Sequence, residues 1–195
     1  MAKSAKGFPP VVDEKVTTLI LGSFPSTASL GKGQYYGHAQ NQFWKLMGSV
    51  VGAPLYDMPY EQRLKTLLAN RIGLWDVIGK CDRAGSLDSN IRNARHNDFE
   101  RVTGIAKKLR RVCFNGKTAA KLEPWFAGQG YETIVLPSSS PANTVRFEEK
   151  LRQWRQIVLP AAGRESVAVD TVGVIPRRKK LICRQGRQGR QEMQK

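Results

Sequence analysis

Residues 16–44 read VTTLILGSFPSTASLGKGQYYGHAQNQFW, and a change of character inside them sets the fold. The run VTTLIL, residues 16–21, is continuous and rich in β-branched side chains, as strands covered on both faces are. It stops at Gly22 and gives way to Gly, Pro, Ser, two Tyr, His and Asn, a mixture too irregular for a core element. From Asn41 onward, Phe43, Leu46, Met47 and Val50 recur at helical spacing. A buried strand that empties into a polar and aromatic loop, then into a helix, is how open α/β sheets build sites at strand C-termini.

The same alternation continues along the chain. Pro59 stands at a first helical position, with Tyr60, Leu64, Leu67 and Leu68 on one apolar face and Gly73 beyond the end. Residues 72–78 (IGLWDVI) read as a second strand and residues 81–90 (CDRAGSLDSN) as a polar loop. Asn97 or Asp98 caps a helix that runs to Leu109. A third strand follows at 111–114, a helix at 117–126 and a fourth strand at 133–136. That strand ends in PSSSPANT, residues 137–144, before a helix over 147–158. The pattern predicts an α/β fold, a three-layer α/β/α sandwich around a central four-stranded, mainly parallel sheet. The loops after the first and fourth strands then share one sheet edge. Residues 1–12 read as a flexible lead, 13–163 as the domain, and 164–195 as a basic, disordered tail.

The chain has 195 residues and a net charge of +16. Nine basic and three acidic residues lie beyond position 163, which leaves the first 163 residues at +10. The body is basic by itself, and the field implies an anionic partner, most commonly nucleic acid. No apolar run approaches the roughly 18 residues of a membrane span, and the N-terminal lysines have no apolar stretch after them. A cytoplasmic protein with no membrane partner is expected. Cys81, Cys113 and Cys183 form no C-x-x-C pair and read as free thiols. With only His38 and His96 beside them, they predict neither a zinc site nor an iron–sulfur cluster, so no metal and no cofactor are expected.

The chemistry concentrates in three loops. Residues 22–26 (GSFPS) form a turn after a strand but match neither a phosphate loop nor a dinucleotide fingerprint. Tyr35, Tyr36, His38, Asn41, Phe43 and Trp44 follow; aromatics sandwich a nucleobase, and an amide bonds its edge or holds a water. Phe43 and Trp44 fit a core role as well, and Asn41 fits a helix N-cap. Residues 138–144 (SSSPANT) present hydroxyls and backbone N–H groups suited to phosphate oxygens, ahead of Arg146. Residues 86–90 (SLDSN) offer further polar contacts. Asp76 sits inside a strand pattern and reads as structural.

In order, GSFPS…YYGHAQNQFW, GLWDVI…CDRAGSLDSNI and LPSSSPANT resemble the uracil-DNA glycosylase superfamily, within it the hypoxanthine-DNA (deoxyinosine) glycosylases. The likeness spans about residues 16–158. It implies a monofunctional hydrolase that cleaves the N-glycosidic bond of a flipped, deaminated base, hypoxanthine or uracil, and leaves an abasic site for base excision repair. It implies double-stranded DNA as partner and a monomeric protein. Asn41 matches the catalytic Asn of the family's H-P-R-N-x-F-W motif. Ser23, Phe24, Tyr36, His38 and Phe43 fall at base-binding positions, with Tyr36 as the stacking aromatic. Ser138, Ser139, Ser140, Pro141, Ala142 and Asn143 match the loop that presses on DNA near the extruded nucleotide, and Ser86, Ser89 and Arg146 extend that surface. The chain departs from the pattern at Ala39 and Gln40, where the family has Pro and Arg, and at Ser26, where Gly is usual. Loss of Pro would loosen the loop carrying Asn41 and loss of Arg would remove a phosphate contact. Two alternatives stay open: a uracil or mismatch-specific glycosylase, which shares the same chemistry, and a nucleic-acid-binding protein of the same fold with weakened catalysis, which those departures favour.

Overall fold

The computed structural model describes residues 3–158. The expected tail at 164–195 lies outside them. In chain order the elements are β1 (Lys3–Lys6), β2 (Thr18–Gly22), α1 (Thr27–Lys32), α2 (Phe43–Val51), α3 (Tyr60–Ala69), β3 (Ile72–Asp76), β4 (Ile78–Arg83), β5 (Ile91–His96), α4 (Phe99–Ile105), β6 (Arg111–Asn115), α5 (Lys117–Ala120), α6 (Glu123–Gly128), β7 (Glu132–Leu136) and α7 (Phe147–Trp154).

Strands β3, β2, β6 and β7 lie side by side in that order, and every pair is parallel. All residues of β2 and β3 are buried, as are four of the five in β6. Side chains alternate between faces, so burial at every position means that both faces are covered. The predicted α/β architecture with its four-stranded parallel sheet is present. The chain lays β3 on one side of β2 and later returns to place β6 on the other. The order therefore reverses between β2 and β6, where a doubly wound sheet leaves a crevice at its strand C-termini.

A second, antiparallel sheet, β1-β4-β5, was not legible beforehand. Two expectations are corrected by it. The polar stretch from Cys81 is strand through Arg83 and resumes as β5, and residues 3–12 of the supposed flexible lead are paired with the body of the fold. Lys3–Lys6 pairs with Lys80–Arg83, the Gly7 N–H donates to the Gly79 carbonyl, and Val11 bridges Leu74. The segment KSAK lacks an apolar pattern because it is an edge strand, where an exposed lysine such as Lys6 also discourages further pairing. Gly73 lies within β3, inside the strand expected over residues 72–78, where a Cβ would come 2.8 Å from Val12 Cγ1 and 3.0 Å from the Val11 carbonyl.

Other differences are local. The helix expected over 117–126 is two short ones, since Pro124 in the first turn of α6 cannot donate to a preceding turn. Helix α1 was missed; Ser26, the residue replacing the usual Gly, caps it by accepting from the Ser29 N–H at 3.1 Å. Cys81 and Cys113 are buried free thiols, and burial pushes Cys113 up to about 12; Cys183 is outside the described residues.

Candidate active site

The last residues of the four parallel strands, Gly22, Asp76, Asn115 and Leu136, all line one cavity of about 730 Å³. The cavity stands at the reversal of strand order, and its volume is that of a small-molecule site. Its sides come from the loops after β2 and β7, with Leu87 and Asp88 from the β4–β5 connection at the mouth.

The 22–26 turn is braced from below. Arg83, 6 % exposed, donates to the Pro25 carbonyl through Nη2 and sets its guanidinium 4.9 Å from the Phe24 ring centroid. The Ser23 carbonyl accepts from the Ile78 N–H at 3.0 Å. The N–H groups of Ser23 and Phe24 find no acceptor among the described residues, and both residues line the cavity.

The next segment carries the aromatic scaffold. Tyr35 is buried; its carbonyl accepts from Trp44 Nε1 at 3.1 Å, its N–H donates to the Tyr60 hydroxyl at 2.9 Å, and its own hydroxyl donates to the Pro9 carbonyl at 3.1 Å. Tyr36 has a backbone φ of +54°, sparsely populated for such a residue. Its ring lies 3.7 Å from Phe43 and nearly parallel to it, and Phe43 in turn meets Trp154 edge-on at 5.6 Å. Phe43 is fully buried and does not line the cavity. Its expected base-binding role is corrected: it is the floor against which Tyr36 is set. Burying a ring of that size contributes roughly 2–3 kcal/mol.

Residues 38–41 form a closed turn even without Pro. The His38 carbonyl accepts from the Asn41 N–H at 2.9 Å, and its Nδ1 accepts from the Gln40 N–H at 3.2 Å. This is how His38 is used; it does not line the cavity. Asn41 does, and its Oδ1 accepts from the Phe43 N–H at 2.9 Å. That bond fixes the amide with Nδ2 as the group left to a ligand. The cap-like bond and a position on the cavity wall, which the sequence left as alternatives, are combined in one residue.

The 137–144 loop is built partly inward. Ser139 is fully buried; its Oγ accepts from Asn115 Nδ2 at 2.9 Å, its N–H donates to Asn115 Oδ1 at 2.8 Å, and its carbonyl accepts from the Gln42 N–H at 3.0 Å. Ser139 therefore joins the loop to β6 and to α2, its hydroxyl engaged by Asn115 at the cavity wall. Ser138, Ser139, Ser140, Ala142 and Asn143 line the cavity, whereas Pro141 is exposed outside it. Lys150 Nζ, on the buried side of α7, donates to Gln42 Oε1 and to the Asn143 carbonyl, both at 2.8 Å, so one cation fastens the two loops that frame the site. Arg146 is exposed at the start of α7. Ser86 lines the cavity and accepts from the Thr27 N–H at 3.1 Å, while Ser89 lies outside it, its carbonyl accepting from Arg92 Nη1 at 2.8 Å.

Asp76, which reads as structural in the sequence, and Asn115 line the cavity without having been singled out for it. The signal was positional: each ends a parallel strand, but seeing that required the strand order. Asp76 is 3 % exposed, and its Oδ2 has no hydrogen-bond partner among the described residues. Burial pushes its carboxyl up to about 7; Asp88 adds to the rise and Arg83 opposes it. Burial, then the Asp76 charge, raises the Tyr36 phenol, and the Asn115 amide pulls the other way. Lys117 also lines the cavity, from an exposed position.

The family model of the Uracil DNA glycosylase superfamily matches residues 9–160. The chain is similar to a hypoxanthine DNA glycosylase of Methanosarcina acetivorans, 49 % identical over 152 residues that make up 78 % of this chain and 96 % of that protein. It is 43 % identical over 151 residues to a hypoxanthine DNA glycosylase of Methanosarcina barkeri, covering 77 % and 96 %. The solution NMR structure of a Methanosarcina acetivorans protein assigned to the uracil DNA glycosylases superposes with a TM-score of 0.72 at 48 % identity, covering 80 % of this chain and 99 % of that one.

Proposed function

The chain belongs to the uracil DNA glycosylase superfamily, and from that premise we propose that it releases hypoxanthine, with uracil as a second base, from double-stranded DNA. The observation that carries the reading is the cavity at the strand C-termini, which gathers Asn41, Ser23, Phe24 and Tyr36 around a space with room for an everted base and its sugar. The protein acts in this reading as a monomer in the cytoplasm. Among the described residues no helix is long and apolar enough to cross a membrane.

Cleavage at C1′ builds positive charge on the sugar and negative charge on the departing base. The basic body binds the duplex, and the damaged nucleotide turns out of the stack into the cavity. Exposed Lys117 and Arg146 hold phosphates at the rim, with the outer hydroxyls of the 137–144 loop. The unpaired N–H groups of Ser23 and Phe24 donate to the base oxygen as its charge grows, which stabilises the transition state more than the ground state. Asn41 Nδ2 donates to the water oxygen or to the departing base; an amide is too weak a base to take the water's proton, which passes to the departing base anion as the C1′–N bond breaks and the C1′–OH bond forms. A Schiff-base lysine needs desolvation and access to the sugar; Lys117 lines the cavity but is exposed, and Lys150 is buried but lies outside the cavity with its Nζ held by Gln42 and Asn143, so the reaction ends at the abasic site with the strand intact.

The test is base release from duplexes that carry hypoxanthine, uracil or xanthine, for the parent and for Asn41→Ala. The parent releases hypoxanthine fastest, and the variant loses at least about 100-fold in turnover with DNA affinity held within about threefold. A variant as fast as the parent overturns the assignment of Asn41, and a parent that releases none of the three bases overturns the reading itself.

A further inference from the structure

Two buried polar groups at the bottom of the cavity have no use in the steps above. Among the described residues, Tyr36 Oη and Asp76 Oδ2 lack a partner in hydrogen-bond geometry, and both residues line the cavity; the Asn115 amide acts on the phenol from nearby but is bonded through both its ends to Ser139, so the phenol proton is left to donate. Leaving such groups unpaired costs about 1–3 kcal/mol each, so their persistence at one spot calls for a ligand that satisfies them. Gly22 shows that the two are neighbours. A Cβ at that position would strike Asp76 Oδ1 and lie 3.0 Å from the Tyr36 hydroxyl. The glycine opens the strand end just where both groups reach it, and the Phe43 stack with the left-handed Tyr36 backbone holds the phenol in place.

The pairing has a definite chemistry. A phenol donates one hydrogen bond, and a carboxyl oxygen accepts one whether the group is ionised or neutral. Set side by side, they complement a carbonyl next to a ring N–H. Hypoxanthine presents that pair at O6 and N1, and uracil presents it at O4 and N3. Resting on the glycosylase reading, we propose that Tyr36 and Asp76 are the specificity-determining residues, with the Tyr36 hydroxyl donating to the base carbonyl and Asp76 accepting from the adjacent ring N–H. This gives Tyr36 a role through its hydroxyl in place of the stacking role expected from the sequence. The carbonyl oxygen has two lone pairs and accepts from the 22–26 backbone as well. The buried carboxyl is uncharged for a good part of the time near neutrality, which spares the departing base a facing negative charge.

Purine, the same ring system without the C6 oxygen and the N1 proton, isolates this contact. Titration calorimetry with free hypoxanthine and free purine decides the inference without requiring turnover. The parent binds hypoxanthine at least about 10-fold tighter than purine. Tyr36→Phe keeps the ring and its stack and cuts that preference to about threefold or less, as does Asp76→Ala, while Asp76→Asn, which still offers an acceptor oxygen, retains it. Equal binding of the two bases by the parent, no binding of either at millimolar concentration, or an unchanged preference in Tyr36→Phe and Asp76→Ala overturns the inference. Duplex cleavage by the same parent preparation is the separate arm. A parent that cleaves damaged duplexes but shows no base preference leaves the glycosylase reading standing and removes this one alone.

Discussion

Replacing Asp76 by Asn makes the protein more stable, and makes it so chiefly at high pH. The carboxyl is 3 % exposed and lacks a partner for Oδ2, so its charged form is penalised. Its folded value is about 7 against 3.8 for the free side chain. The groups acting on it are Asp88, which adds to the rise, and Arg83, which opposes it, while the phenols of Tyr35 and Tyr36 feel its charge. Between those two values the unfolded chain has released its proton and the folded chain retains it. Stability is therefore greatest below the unfolded value and falls as pH rises through the folded one, by about 1.4 kcal/mol per unit and about 4 kcal/mol in total. That loss is a large part of the 5–15 kcal/mol typical of a domain. Asn cannot ionise and escapes it. Urea unfolding of both proteins at about pH 5 and about pH 8 measures the difference, and the advantage of Asp76→Asn grows by about 3 kcal/mol between the two. An advantage of equal size at both pH values refutes the buried, proton-retaining carboxyl.

Four further outcomes follow from the same geometry. Gly22→Ala forces a methyl onto Asp76 Oδ1 and lowers stability by about 1–3 kcal/mol with loss of base release, read by thermal melting and single-turnover cleavage. Ser139→Ala leaves Asn115 Nδ2 unpaired at a cost of about 1–3 kcal/mol, seen as a lower urea midpoint with an unchanged slope. Lys150→Met deprives Gln42 Oε1 and the Asn143 carbonyl of their donor, so the two framing loops part and kcat falls at least about 10-fold in steady-state cleavage. Arg146→Ala weakens DNA binding and reduces the slope of log affinity against log salt by about one, measured by fluorescence anisotropy over a salt series.

The legible part of the molecule was the part whose reasons are local. The run at 16–21, the helix built on Phe43, Leu46 and Met47, and the PSSSPANT loop each follow from periodicity or from the backbone habits of Pro, Gly and Ser within a few residues. The second sheet was not, because KSAK, IGKCDR and IRNARH carry no apolar alternation and owe their strand form to partners some 75 residues apart in the case of β1 and β4. Site chemistry divided the same way. Asn41, Ser23 and Phe24 could be picked from their own loops. Asp76 could not, since what makes it a site residue is the register that sets Gly22 opposite it, and the burial that changes its acidity. Ser139 shows the converse: three consecutive serines look alike in a sequence, and only the fold turns the middle one inward.

The ten or so residues before the parallel sheet are more than an introduction to it. Trp75 Nε1 donates to the Phe8 carbonyl at 3.1 Å, the Tyr35 hydroxyl to the Pro9 carbonyl at 3.1 Å, and the Phe8 ring packs edge-on against Tyr35 at 5.2 Å. The N-terminus thus laces together the side chains on either flank of the chamber, one neighbouring Asp76 and the other Tyr36. A protein trimmed to begin at residue 13 for convenience of expression would keep every group assigned to the reaction and still present them slackly, and a fusion partner attached without a spacer at the first residue would tug on the same lacing.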